Sequence, residues 1–309
     1  MRRRIDWAKL GLGTYFLLFL VFLYAPMILM AILSFQGPFG QLTFPFQGPV
    51  SLDWWRSLWD EDVPPFQAAD IRLAAKNSLY LSLVAGAIVA LLSFTLSMAF
   101  RRRWPFGTDG AGFYVIMLAL MTPGYLLAVG TQLFWAQFGW EAGIWETALG
   151  ANVVWGIPFG FLVMIAVWNR YDPAVEEAAR DLGADQKRTF REVTLPLIWT
   201  GIFGCALFGF TLTWNDYDRT VLFQVASTDT LPLTIGGFTF TGAIRPDLYA
   251  LGTATTLVSL FAIGLLLVVA AVRLRFLGRR AAPQIEEELG VTEGLEARPS
   301  LTGSGTADR

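Results

Sequence analysis

The sequence predicts an all-α membrane protein that crosses the bilayer six times. The 309-residue chain is 54% hydrophobic but only 16% charged, whereas soluble domains carry about 25% charged residues. The missing charges are concentrated in six long runs without Asp, Glu, Lys or Arg, and Lys and Arg are divided unequally between the loops that join these runs. Together these properties exclude an ordinary soluble enzyme and favour one polytopic unit.

Each uncharged run is long enough to span, because a helix that crosses about 30 Å of hydrocarbon needs roughly 20 apolar residues. The six predicted spans cover residues 10–35, 77–100, 110–140, 147–169, 193–215 and 248–272. In the third span, Pro123 followed by Gly124 predicts a kink. Residues 1–280 therefore form the predicted six-span domain, and the Pro-, Glu-, Gly-, Ser- and Thr-rich residues 281–309 are predicted to be a disordered cytoplasmic tail.

The loops fix the orientation of the spans, since short loops rich in Lys and Arg stay in the cytoplasm. Before the tail, sixteen Lys and Arg residues fall in one set of loops and five in the other. This bias places both termini in the cytoplasm, in agreement with an even number of crossings. The net charge of −2 gives no reason to expect a nucleic-acid partner.

The cytoplasmic loop between the fourth and fifth spans, residues 170–196, has the signals of a short helix. Asp172 is placed to cap a helix that starts at Pro173, and Gly183 is placed to end it in a left-handed conformation. A stripe of small or apolar residues repeats at four-residue spacing in Ala174, Ala178 and Leu182. A second short helix is predicted from about Gln186. These signals fit a partner-docking helix and a plain connector equally well.

The same loop carries a spaced motif. It consists of Glu177-Ala178-Ala179, then Gly183 after three residues, Val193 after nine more, and Leu195-Pro196. This spacing resembles the loop signature of the inner-membrane permease subunits of binding-protein-dependent ABC importers, with Val193 where Ile is common. The resemblance extends from the first span to the sixth and implies the type I ABC importer permease fold in a bacterial inner membrane.

The resemblance implies a role for each residue of the motif. Glu177 would face a cytoplasmic ATPase, Ala178 and Ala179 would allow close approach, and Gly183 would make the turn, while Leu195 and Pro196 would join the loop to the fifth span. It also implies a pair of ATPase subunits, a second permease subunit and an external, periplasmic binding protein as partners. The chain has no G-x-x-x-x-G-K-[ST] phosphate loop, so no cofactor is expected on it, and ATP and Mg²⁺ would bind the partner ATPase.

A second resemblance concerns the substrate. The stretch FTLTWNDYDRTVLF from Phe210, the Leu-Pro-Leu at 231–233 and residues 246–254 are similar to polyamine permeases of the spermidine and putrescine type. Those relatives tend to have two acidic residues near the outer end of the fifth span, where this chain has Asn215 and Asp216, with Asp218 close behind. Carboxylates at the mouth of a pathway favour cations, although Asp216 and Asp218 also fit ordinary residues at the membrane edge.

Further polar or aromatic residues are candidates for the translocation path. They are Trp214, at the end of the fifth span, and Gln132 and Trp135, in the third. Side chains of this kind also commonly hydrogen-bond between helices, which is the alternative interpretation.

Three other functions compete with an ABC importer of polyamines. A secondary transporter is expected to place ionisable residues near the bilayer midplane, and the six runs contain none. A membrane-embedded enzyme or metal site has few candidate residues, because the chain has no histidine and a single cysteine, Cys205. An ABC permease for another solute, such as an iron complex or an amino-acid derivative, remains open. We therefore predict a transport subunit without catalytic or metal-binding residues.

Overall fold

A computed structural model describes residues 7–37, 49–62, 68–101, 111–223, 229–240 and 246–288. Within these ranges the regular structure is helical, and β-pairing is limited to one bridge between Gln36 and Val50. The α-helices are α1 (Trp7–Leu33), α2 (Asp53–Arg56), α3 (Ala68–Arg101), α4 (Ala111–Met121), α5 (Gly124–Ala136), α6 (Leu149–Trp168), α7 (Ala174–Asp181), α8 (Gln186–Thr189), α9 (Leu195–Trp214), α10 (Leu231–Phe240) and α11 (Pro246–Glu288). The predicted all-α class is confirmed.

Among the described residues, five helical stretches are long and apolar enough to cross a membrane, and they match the first, second, fourth, fifth and sixth predicted spans. They are Gly11–Leu33, Ala68–Arg101, Ile144–Trp168, Gln186–Trp214 and Asp247–Val269. The predicted third span is not one helix, because α4 and α5 meet at an angle of 107°. Counted as one bent span, this pair brings the number of crossings to the predicted six.

The break between α4 and α5 occurs at Pro123, the residue that predicts the kink. Its backbone is extended, with φ −56° and ψ 132°, and proline has no N–H to donate to the preceding turn. The Pro123 carbonyl instead accepts the first hydrogen bond of the new helix, from the Leu127 N–H at 3.0 Å. Proline therefore ends one helix and starts the next, which is a larger effect than a kink.

Two π-helical turns precede spans without interrupting them. Residues Ile144–Ala148 lead into α6, and residues Phe190–Thr194 join α8 to α9. As a result, the chain is helical without a break from Gln186 to Trp214. The predicted second short helix of the loop is thus the cytoplasmic extension of the fifth span.

Helices α3, α6 and α9 pack against each other through small residues. A Cβ atom on Gly86 of α3 would lie 2.6 Å from the carbonyl oxygen of Ala206 in α9, and one on Gly209 would lie 2.9 Å from the Gly86 Cα. A Cβ atom on Gly160 of α6 would lie 2.9 Å from the Ser93 Cβ of α3. In a membrane, helix association depends on such close approach, since lipid supplies no hydrophobic drive.

The chain divides into two compact units, Met1–Ile263 and Gly264–Arg309. The first contains α1 to α10 and the start of α11. In the second, the described residues continue α11 as a helix to Glu288, past the predicted start of the tail at residue 281. Residues 289–309 of the predicted tail, and the N-terminal arginines at 2–4, lie outside the described residues.

Candidate functional site

The cytoplasmic loop between the fourth and fifth spans contains the predicted helix, α7. The Asp172 carboxylate accepts a hydrogen bond from the Ala174 N–H at 2.9 Å, so Asp172 caps the helix as predicted, with the start one residue later. Gly183 follows the helix with φ +87°. Any Cβ at this position would find open space, so the left-handed backbone alone explains why glycine is suited here.

A second capped turn connects α7 to the fifth span. The Asp185 carboxylate accepts from the Arg188 N–H at 2.7 Å and starts α8. Leu195 and Pro196 are the first two residues of α9, directly after the π-helical turn Phe190–Thr194. The two loop helices and α9 therefore follow each other with only the turn at Gly183 between them.

The two sides of α7 have different surroundings. Glu177 and Ala178 are exposed and Ala179 is half-buried. Val175 is 41% exposed and Leu182, just after the helix, is 91% exposed. Exposed residues of the predicted motif thus lie beside apolar side chains that contact water.

Glu176 lies on the opposite side and is turned toward the spans. Its Oε1 atom accepts hydrogen bonds from Arg101 Nη1, Tyr171 Oη and Thr194 Oγ1, each at 2.9 Å. Burial alone would raise the pKa of Glu176, but the hydrogen bonds from Arg101, Thr194 and Tyr171 hold it below its ordinary value. Burial raises the pKa of Tyr171, so its hydroxyl keeps the proton that it donates. Glu176 is therefore an ionised acceptor shared by three donors.

At the outer end of the fifth span, Asp216 belongs to a buried ion pair. Asp216 is 3% exposed and Arg219 is 8% exposed, and Asp216 Oδ1 lies 2.5 Å from Arg219 Nη2. The other carboxylate oxygen accepts from the Thr220 hydroxyl at 2.7 Å. The Arg219 guanidinium covers the Trp155 ring at 4.8 Å from its centroid. Asp216 is thus neutralised by protein groups.

The other candidates for the translocation path lie in three different surroundings. Trp214 and Asn215 line one cleft of about 370 Å³, together with Tyr217 and residues of α10 and α11. Asp218 is exposed. Gln132 is half-buried on α5, and Trp135 of the same helix stacks on Trp140, with ring centroids 4.5 Å apart. Only Trp214 and Asn215 among the six are brought together in one described cavity.

No family model matches the chain, but individual relatives do. Over 239 residues it is 26% identical to the spermidine/putrescine transport system permease protein PotC of Haemophilus influenzae, covering 77% of this chain and 88% of the relative. The PotC protein of Escherichia coli K12 is 25% identical over 243 residues, covering 77% of this chain and 86% of the relative. A PotC homolog of Mycoplasma pneumoniae is 26% identical over 264 residues, 81% of this chain and 87% of the relative.

Solved structures show the same fold. A bacterial ABC transporter involved in import of the acidic polysaccharide alginate superposes with a TM-score of 0.63 at 18% identity, over 87% of this chain and 96% of that chain. A second structure, of a bacterial alginate ABC transporter in complex with an alginate pentasaccharide-bound periplasmic protein, gives a TM-score of 0.57 at 19% identity, over 85% and 92%. By fold and by sequence similarity, the chain is a permease subunit of an ABC importer. The permease is accordingly a multi-pass inner-membrane protein and not itself an enzyme.

Three residues of the permease site could not be selected from the sequence. Glu176 is next to the predicted motif, but its partners come from three separate elements. Leu182 was predicted only as part of a stripe, and its 91% exposure depends on where α7 lies. Arg219 is one of five basic residues in the outer loops, and no local pattern marks it as buried. The only available signal was its three-residue spacing from Asp216.

Proposed function

We propose that this permease imports a polyamine and that a cytoplasmic ATPase drives it by docking on α7. The observation that carries the proposal is the outward position of the motif. Glu177 and Ala178 are exposed to the cytoplasm, and Gly183 ends the helix with a positive φ. A docking helix needs its motif residues to be accessible in this way.

An apolar strip on α7 supports the docking role. Val175, Ala178 and Leu182 follow the i, i+3, i+7 spacing that places side chains on one side of a helix. Leu182, at 91% exposure, is the most exposed apolar residue of the strip. Apolar side chains grouped on a water-facing helix are typical of a protein-binding surface. We expect Leu182 to enter a pocket of the ATPase, with Ala178 allowing the two backbones to approach.

A displacement of α7 has a direct route to the outer side of the membrane. The helix that starts at Gln186 continues through Leu195 and Pro196 to Trp214. The 20 residues of α9 extend about 30 Å at 1.5 Å per residue. Trp214 and Asn215, at its far end, line the 370 Å³ cleft. A tilt imposed at α7 would therefore change the shape of this cleft.

The remaining components of the importer are assigned to other chains. Without a phosphate loop of its own, the permease would use ATP and Mg²⁺ bound by a pair of ATPase subunits. A second permease subunit would complete the pathway, and an external binding protein would deliver the solute. The solved alginate transporter in complex with a periplasmic protein supports this arrangement.

The polyamine substrate is supported by the relatives and by the cleft. The three bacterial relatives described above are spermidine/putrescine permeases or homologs of them. Aromatic faces attract ammonium groups, and the cleft contains Trp214 and Tyr217 beside the polar Asn215. An iron complex or an amino-acid derivative is the alternative solute, and a secondary transporter is the alternative mechanism.

The docking role is tested by Leu182→Ala and Gly183→Val in the assembled importer. At 91% exposure, Leu182 contributes little to folding, so its truncation should leave the permease stable. Loss of a central docking side chain typically costs 1–2 kcal/mol or more, so we expect co-purification of the ATPase and its stimulated hydrolysis to fall about tenfold. Gly183→Val forces a branched side chain into a left-handed backbone and should have a similar effect.

The matched control is Leu52→Ala. Leu52 is also exposed, at 52%, but lies in the first outer loop. This variant should bind and stimulate the ATPase like the wild type. Wild-type binding and hydrolysis in both loop variants would show that α7 is not the docking element.

A further inference from the structure

Glu176 connects α7 to three spans at once. Arg101 is the last residue of α3, Tyr171 follows the end of α6, and Thr194 immediately precedes α9. All three donate to the same oxygen, Glu176 Oε1, and Tyr171 Oη lies 3.2 Å from Thr194 Oγ1. The second, fourth and fifth spans therefore meet α7 at a single carboxylate.

Arg101 is held in place independently of Glu176. Its guanidinium lies 4.6 Å from the ring centroids of both Trp168 and Tyr171. Trp168 in turn donates from Nε1 to Ser97 Oγ of α3 at 3.1 Å. A guanidinium stacked on two aromatic rings has little freedom to move. The donor that reaches Glu176 from α3 is thus preorganised.

Packing alone would not hold α7 against the spans. A cleft of about 400 Å³ lies around Glu176, lined on the α3 side by Met98 and Arg101 and on the loop side by Arg180 and Thr189. The apolar residues Val175 and Leu182 are exposed rather than packed on the core. Segments with few buried apolar contacts open easily, so the polar contacts of Glu176 carry most of the attachment.

We propose that Glu176 is a positioning residue that makes α7 move as one body with the cytoplasmic ends of the second, fourth and fifth spans. The inference deepens the proposed function and rests on it, because rigidity of α7 matters for transport only if α7 receives a force. Residues of the motif, Glu177 and Ala178, contact the driving partner, and Glu176 passes the displacement inward. Without Glu176, α7 would move with the partner, and the motion would not reach the spans.

Glu176→Gln tests this role in the full-length permease. The substitution keeps the size of the side chain but removes the charge that Arg101 and two hydroxyls share. Losing the charge weakens the hydrogen bonds from all three donors, so we expect amide hydrogen exchange of residues 174–181 to accelerate about tenfold or more. In the complete importer, the number of solute molecules transported per ATP hydrolysed should fall several-fold while the ATPase stays bound.

Glu192→Gln is the matched control, because Glu192 is in the same loop and pairs with Arg188 at 3.0 Å on the surface. Exposed pairs contribute little, so its exchange and coupling ratio should equal those of the wild type. Tyr171→Phe is the milder second variant. It removes one donor but keeps the ring beside Arg101, and it should give an intermediate acceleration.

The two proposals fail in distinguishable ways. If the wild-type permease does not bind the ATPase, the proposed function is wrong, whatever the exchange rates are. If Glu176→Gln and Tyr171→Phe show wild-type exchange of residues 174–181 and a wild-type coupling ratio, Glu176 does not position α7, and docking on α7 is unaffected by that result.

Discussion

At the scale of single residues, Asp216 and Asp218 show how two similar carboxylates acquire different roles. Both follow the fifth span and both are predicted as candidates for the translocation path. Asp216 is 3% exposed and paired with Arg219 at 2.5 Å, whereas Asp218 is exposed. Their order in the sequence does not separate them, because burial depends on Trp155 and Asn152 of the distant α6.

Asp216→Asn should destabilise the permease strongly, and Asp218→Asn should not. Removing one partner of a buried pair leaves an uncompensated charge on Arg219, which typically costs about 3–5 kcal/mol. An exposed substitution is usually within about 0.5 kcal/mol. The thermal unfolding midpoint of the full-length chain in detergent measures both effects.

The double variant Asp216→Asn/Arg219→Met provides the control for the ion pair. With both charges removed, most of the stability should return, because no buried charge remains without a partner. Equal midpoints for Asp216→Asn and Asp218→Asn would contradict the buried pair. Uptake by the stable Asp218→Asn variant then tests whether this exposed carboxylate attracts a cationic solute. If it does, the KM for uptake is raised in the variant.

At the scale of helices, the sequence predicts where the spans lie along the chain but not which spans contact each other. Uncharged runs predict six spans, of which five are single helical stretches among the described residues, and Pro123 predicts the place where the third is interrupted. The 107° angle between α4 and α5 could not be predicted, because it depends on how α5 packs on α6, where Ala128 is buried against Ala148 and Ala151. The local signal at Pro123 predicts where the helix breaks, and tertiary packing determines the angle between α4 and α5.

The loop helix illustrates the same division. Asp172 and Gly183 are local signals whose spacing predicts where α7 begins and ends. Two of the three donors that attach α7 through Glu176, Thr194 and Arg101, lie 18 and 75 positions away in the chain. No periodicity or motif in a single sequence links residues at such distances, so this part of the site required the fold.

Contact between α3 and α9 gives a prediction at the helix scale. Gly209→Ala should destabilise the permease by about 1–3 kcal/mol, the usual cost of overpacking. The reason is that its Cβ would lie 2.9 Å from the Gly86 Cα, which is backbone and has no alternative rotamer. The thermal midpoint and the yield of folded protein measure the effect.

Gly204→Ala, in the same helix, is the matched control. Its Cβ would lie 3.5 Å from Val163 Cγ1, an ordinary contact, and alanine favours a helix over glycine by about 1 kcal/mol in a helix interior. This variant should be as stable as the wild type or more so. Equal thermal midpoints for Gly209→Ala and Gly204→Ala would show that α3 and α9 are not as close as described.

At the scale of the whole molecule, the spans and the cytoplasmic loop differ in charge, and this difference matches their proposed roles. The spans lack the ionisable residues that ion-coupled transport places near the midplane. Charged groups are instead dense in the cytoplasmic loop that contains α7, where Glu176 faces the spans and Glu177 faces water. This arrangement fits a permease that receives its driving force from a protein partner.

The most direct test is uptake of labelled putrescine and spermidine into proteoliposomes that contain the complete importer. We expect uptake to require the binding protein outside and hydrolysable ATP on the side of α7, and to stop when ATP is replaced by a non-hydrolysable analogue. Uptake of an iron complex or an amino-acid derivative in place of polyamines would contradict the substrate but not the mechanism. Uptake by the permease chains alone, driven by an ion gradient and indifferent to ATP, would contradict the proposed mechanism.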